Sequence, residues 1–311
     1  MDSNQAITLI NTIGVAACFG GSQEACDNAP YVIRCSPFQD YLSHKNLELC
    51  WRKIITAVDC PANSLSCLHE INHQVASLTY QHTLQNVSNN TADRPFLVVA
   101  GDHSSAIGTW SGVIQAMPTK TLGLIWIDAH LDSHTLDTSP SGNLHGMPLS
   151  VLLNKADKNL QATYPQLPLN QHTEHPYLLG ENLSLLGARS YEPEELVLLN
   201  KANASIYSMQ QLLHNIAPSQ QLNNLAEDLL TRCDVLGISL DLDAITPEDA
   251  PAVETPEKDG IAGAMLISMF NNFTYKNKLV GLEISEFNPS NDIEQKTEKL
   301  ILRLITALFD N

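Results

Sequence analysis

Apolar residues along the chain fall into short unbroken runs separated by longer stretches of mixed character. Leu122 to Ile127 and Phe96 to Ala100 are too short for ordinary helices and rich in β-branched and aromatic side chains, the mark of strands buried on both faces. Ile7 to Val15, Leu183 to Gly187, Ser205 to Ser208, Val235 to Leu242 and Leu279 to Phe287 read as further strands. Helical stretches lie between them: a short helix after Asn28-Ala29-Pro30, Leu65 to Leu84, a helix capped by Ser104, one opening at Pro148 to Asn154, Glu195 to Asn200, one from Met209 onward, and Glu294 to Phe309. Phe19-Gly20-Gly21-Ser22 reads as the loop leaving the first strand, and Asn86 to Arg94 and Lys155 to Asn182 as polar loops. Strands alternating with helices predict an α/β fold, a three-layer α-β-α arrangement with a central, mostly parallel sheet.

No Pro/Gly/Ser-rich linker, charge run or fixed-period repeat divides the 311 residues, so one domain spanning 1–311 is expected. The formal net charge of −17 repels phosphate backbones and anionic membranes, which argues against nucleic-acid and membrane partners and suits a small cationic substrate. Seven cysteines, an odd number with no CxxC, point to a reduced intracellular compartment rather than a disulfide framework. Ala6 to Phe19 is apolar, but it lacks a basic flank and is broken by polar residues, so it does not read as a signal peptide. No run approaches the roughly 18 apolar residues of a membrane span, and a cytoplasmic location is expected.

The chemistry sits at the strand ends. Asp128, His130 and Asp132 follow the Leu122–Ile127 run at intervals of two, the spacing that turns side chains of an extended segment to one side. Ser141-Gly142-Asn143-Leu144-His145-Gly146, with two glycines, can bend back over them. Ligands in parallel sheets bind beyond the carboxyl ends of the strands, and His103, Asp128/His130/Asp132, Glu192, Asp241/Asp243 and Glu286 each follow a different expected strand. Crowding four aspartates there with two histidines requires neutralisation, which a pair of divalent cations supplies. Carboxylates with imidazole and no thiolate favour Mn²⁺.

Gly101-Asp102-His103-Ser104, Asp128-Ala129-His130-Leu131-Asp132 and Ser239-Leu240-Asp241-Leu242-Asp243 resemble the three metal motifs of the ureohydrolases, the family of arginases, agmatinases and formiminoglutamases. The resemblance runs from about Ile7 to Asn291, and Ser141 to Pro148 is similar to the arginase loop specifically. It implies an arginase/deacetylase-type fold and hydrolysis of L-arginine to L-ornithine and urea with two Mn²⁺ per subunit. His103, Asp128, Asp132 and Asp241 would hold one ion, and His130, Asp128, Asp241 and Asp243 the other. It further implies that Asp132 relays a proton, that His145 shuttles one and that Glu286 pairs with the guanidinium. His134, Ser141, Asn143, Glu192 and Thr255 would contact the rest of the substrate. A homo-oligomer, trimer or hexamer, is implied in the same way.

This chain departs from the arginase pattern at four positions: His134 for Asn, Glu192 for Asp, Thr246 for the Asp before Pro247, and Glu254 for the Gly before Thr255. Thr246 reads as a turn residue, and His134 either as a substrate contact or as a solvated loop histidine. The departures leave open a ureohydrolase acting on another guanidino or formimino compound, such as agmatine, a guanidino acid or formiminoglutamate. A non-catalytic metal-binding protein and an acyl-amide hydrolase on the related architecture are the remaining alternatives. The role of Cys50 to Cys67 is not legible from the sequence.

Overall fold

The computed structural model describes residues 6–18, 25–57, 64–88, 95–167 and 176–310. Eight strands form one sheet: β1 Thr8–Ala16, β2 Leu47–Thr56, β3 Phe96–Ala100, β4 Leu122–Ile127, β5 Leu183–Ala188, β6 Ser205–Ser208, β7 Val235–Asp241 and β8 Leu279–Ser285. Their order across the sheet is β2-β1-β3-β8-β7-β4-β5-β6, and every pairing is parallel.

Alternation along the strands divides the interior into two cores. Leu97 and Val99 of β3 enter one, with the helices Ala29–Arg34, Gln221–Leu230, Gly263–Asn271 and Lys296–Phe309; Phe96, Val98 and Ala100 enter the other, with Leu65–Ser88, Ala106–Ala116 and Pro148–Leu152. A strand covered on both faces has no side to leave polar, which is why β3 and β4 read as continuous apolar runs. The expected three-layer α/β arrangement is the one observed.

Several local expectations change. Leu47–Thr56 is a strand that the sequence reading does not name; it lies at the sheet edge, where its exposed positions carry Glu48, Arg52 and Lys53. The long helix runs on to Ser88, into the expected polar loop, and the helix from Met209 stops at Leu213 and restarts at Gln221. Ser104 is not the cap expected: Asp102 accepts the Ser104 N–H at 3.0 Å and holds the turn entering Ala106–Ala116. Lys155 to Asn182 contains the short helix Lys158–Gln161, and the loop Phe19-Gly20-Gly21-Ser22 lies outside the described residues.

The expectation of uniformly reduced cysteines is overturned. Cys18 and Cys26 are joined, their Cα atoms 5.7 Å apart, and Cys67 is also disulfide-bonded, whereas Cys35, Cys50 and Cys233 are free. An odd count says nothing about which thiols the fold brings within reach. No helix among the described residues is long and apolar enough to cross a membrane.

Candidate active site

The neighbouring strands β3, β8, β7 and β4 end at one rim, and the residues after them converge. Gly101 clamps the start of this region: its N–H donates to the Val15 carbonyl and its own carbonyl accepts the Glu286 N–H, both at 2.9 Å. A Cβ there would lie 2.1 Å from the Ala17 oxygen, so no larger residue fits without displacing the backbone. His103 follows, stacked on Trp126 with ring centroids 4.1 Å apart. Its Nδ1 faces Asp128 at 3.3 Å, Asp132 at 3.0 Å and Asp241 at 3.1 Å.

A second group adjoins the first. His130 Nδ1 lies 2.9 Å from Asp243 and 3.6 Å from Asp128, so Asp128 belongs to both groups. Its carboxylate is fixed by the Trp126 indole N–H at 2.8 Å and the His130 backbone N–H at 2.7 Å. Asp241 stands in the first group, and its second oxygen accepts the Asp243 N–H at 2.8 Å. Thr255 donates to Asp243 at 3.2 Å.

Asp128, His130 and Asp132 do not meet by strand alternation, as the spacing suggested. The chain bends after Ile127, and Asp132 has φ 44°, in the left-handed region. Glu286 likewise has φ 68°. Non-glycine residues held there are sparsely populated and cluster where a site needs a side chain aimed against its backbone's preference.

The charges are mutually incompatible as bare groups. Burial and the Asp128 charge push Asp132 up to about 7, and burial with the charges of Asp243 and Asp128 pushes Asp241 well up. Burial opposes ionisation of Asp128 as well, but the facing imidazoles of His103 and His130 outweigh it and hold the carboxyl far below its usual range. His103 and His130 are both raised, because the surrounding carboxylates outweigh the desolvation that opposes their charge. His103 Nδ1 and Asp132 Oδ2 are buried, face each other and make no hydrogen bond. Orphaned acceptor atoms of this kind, gathered around a shared point, fit hard divalent cations held by carboxylate and imidazole.

Beside this cluster His145 Nδ1 lies 3.1 Å from Glu286 Oε1, which also accepts the His103 N–H at 2.7 Å. Burial disfavours a protonated His145, but the Glu286 charge and hydrogen bond, with Asp102 and Asp132 behind them, push it up to about 10. Glu286 is itself raised, by burial first, with the His145 charge opposing. Its Oε2 is buried and makes no hydrogen bond. The cleft in front measures about 250 Å³ and is walled by His130, Asp132, His145, Ser141, Asn143, Thr255, His134 and Glu192.

The Arginase family model matches residues 10–309. The chain belongs to the Arginase family. It is 31% identical to the arginase of Bacillus subtilis (strain 168) over 304 residues, 96% of this chain and 97% of that protein. It is 34% identical to the arginase of Bacillus caldovelox over 214 residues, 68% of each chain. The solved Bacillus caldovelox structure superposes with a TM-score of 0.83 at 28% identity, covering 98% of this chain and 99% of that one. The arginase of Entamoeba histolytica, solved with L-ornithine, shares the fold at 23% identity with a TM-score of 0.84, covering 99% of this chain and 100% of that one. As a family member the chain is a hydrolase of amidine C–N bonds.

Within this arginase-family cleft, the residues singled out from the sequence stand together, with His134 in an unexpected role. It is buried rather than solvated, and it lines the cleft with its ring held by partners. Its ring is buried, Nε2 faces Glu192 at 3.0 Å and Glu195 at 3.4 Å, and Nδ1 meets the Thr138 hydroxyl at 3.1 Å. Glu254 is buried behind the cleft, its ligand atom within 4.8 Å of those of His145 and Glu286. Thr246 starts a turn, its carbonyl accepting the Asp249 and Ala250 N–H groups at 3.0 Å. Sequence reasoning missed Trp126, Glu195 as partner of His134, and Arg189. Arg189 donates to the carbonyls of Gly187, Asp243, Ala244, Glu257 and Lys258, stitching the loops that carry Asp243 and Thr255. A lone arginine in a loop carries no pattern that announces such a role.

Proposed function

We propose that the protein hydrolyses L-arginine to L-ornithine and urea, with two Mn²⁺ held by His103, Asp128, Asp132, Asp241, His130 and Asp243. The observation that carries this reading is the shared Asp128 between two histidine–carboxylate groups, with orphaned acceptor atoms at their centre. Bound there, the cations would lower the pKa of water to the neutral range.

The remaining steps follow from the side chains. Glu286 has one oxygen engaged by His103 and His145 and one buried oxygen without a hydrogen bond, which is the acceptor a guanidinium N–H needs. Asp132 borders both the cluster and the cleft, so it can take a proton from the attacking water and hand it to the leaving amine. His145 lines the cleft and exchanges protons with solvent. Ser141 and Asn143, on the partly exposed loop, offer donors to a carboxylate, and Glu192 offers an acceptor to an amine.

A second reading has one observation in its favour: among the described residues the cleft wall contains no Lys or Arg, and His134 is engaged by two glutamates. That wall also suits a guanidino compound without a carboxylate. Urea release from L-arginine, agmatine and guanidinobutyrate by the Mn²⁺-loaded enzyme separates the two. L-Arginine should give the highest kcat/KM, and His145→Ala should lower it about 100-fold. Preference for agmatine would move the assignment to the second reading, and no product from any of the three would sink both.

A further inference from the structure

Glu283 lies in the middle of β8, fully buried, away from the cleft, and no step above uses it. Four groups reach its carboxylate. Ser105 Oγ and Thr109 Oγ1 contact Oε1 at 2.9 and 2.8 Å, and Trp110 Nε1 and Ser239 Oγ contact Oε2 at 3.1 and 2.9 Å. Ser239 Oγ is also 3.0 Å from His103 Nε2. A continuous chain therefore links a buried carboxylate to the far side of the His103 ring.

The direction of the protons along that chain is set by the carboxylate and its donors. An ionised carboxylate only accepts, and Trp110, which can only donate, and the three hydroxyls together supply four donors to Glu283, two to each oxygen, so this cage fits the anion. Ser239 then sends its proton to Oε2 and has only lone pairs left for His103, whose Nε2 must carry a hydrogen. In the neutral ring Nδ1 is consequently the bare nitrogen, and Nδ1 is the atom that faces Asp128, Asp132 and Asp241. We infer that Glu283 is a positioning residue that acts through Ser239 to hold the hydrogen on His103 Nε2 and keep Nδ1 free to bind a cation. Residues that orient a metal-binding imidazole from behind typically contribute 10–100-fold to metal affinity. This inference rests on the reading of His103 as a ligand, and the test below separates failure of that reading from failure of the relay.

The test uses the full chain and three variants, read by Mn²⁺ retention against a chelator and, in metal-free protein brought to a pH at which the His103 ring is neutral, by the ¹⁵N-coupled Nε2–H proton resonance of His103. Ser239→Ala cuts the chain, and should weaken Mn²⁺ binding about 10–100-fold and displace the Nε2–H resonance from its hydrogen-bonded position. Glu283→Leu frees the Ser239 hydroxyl to donate to Nε2, so the resonance should vanish and affinity should fall over the same range. Glu283→Gln is the rescue: Trp110 pins the amide oxygen at the Oε2 position, the two hydroxyls at Oε1 turn to accept the amide NH₂, and the resonance should persist. Should Glu283→Leu fail to fold, Ser239→Ala and Glu283→Gln decide the matter. Wild-type resonance and Mn²⁺ retention in Ser239→Ala would overturn the relay, as would a Glu283→Gln protein that loses the resonance. If the unaltered chain retains no Mn²⁺, the ligand reading fails, and the resonance still decides the relay.

Discussion

At the scale of single residues, the pair His145–Glu286 gives a pH signature. Burial opposes the charged imidazole, but Glu286 outweighs it and raises His145 from about 6.5 in the unfolded chain to about 10. A raised histidine stabilises the folded state fully below the unfolded value, and that contribution drains away as the pH rises through the folded one. In metal-free protein the urea midpoint of the unaltered chain should therefore exceed that of His145→Ala most at pH 6, and the gap should close towards pH 10. A gap that widens with pH would contradict the assignment. The identity of these residues was legible in the sequence because their types are rare together; their geometry was not. Asp128, His130 and Asp132 converge through a left-handed turn that spacing alone does not encode. Glu283 reads as one polar letter in an apolar strand, because its partners come from the turn at Ser105, from the helix bearing Thr109 and Trp110, and from Ser239 on β7.

Among elements, the apolar strands were the easiest to read and the stitching between loops the hardest. β3, β4 and β6 match their expected bounds residue for residue, and in β3 and β4 the reason is that runs buried on both faces carry an unbroken signal. β2 alternates charged with apolar positions at the sheet edge, and that weaker pattern hid it. Arg189 shows what sequence reading cannot reach: one guanidinium serves carbonyls of three chain segments at once, a role defined mostly by contacts distant in the chain. Lysine has neither the planar fork nor the number of donors to replace it. Arg189→Lys should lower folding stability by about 2 kcal/mol, on the scale of one lost hydrogen bond to a charged group. It should also raise KM more than it lowers kcat, because Thr255 and the Asp243 loop shift relative to the cleft. Chemical denaturation and steady-state kinetics on the same preparation check both expectations.

For the whole molecule, the carboxylates at the rim make folding and ion binding one equilibrium. Metal that binds only the folded chain adds stability logarithmically with its concentration, about 2.7 kcal/mol at one hundred times the dissociation constant. Chelation should accordingly lower the melting temperature by several degrees, and readdition of Mn²⁺ should restore it with a dose dependence that follows site occupancy. A melting temperature indifferent to chelator would mean that the cluster holds no ion in solution. The sheet order has a consequence for biosynthesis. β8, the last strand to leave the ribosome, belongs between β3 and β7 in the middle of the sheet. Until it arrives, the nascent chain can pair its strands only as two half-sheets, each with a bare hydrophobic margin open to other polypeptides. The closing strand brings Glu286 with it, so a chain interrupted before that point leaves two sticky halves and an unfinished pocket.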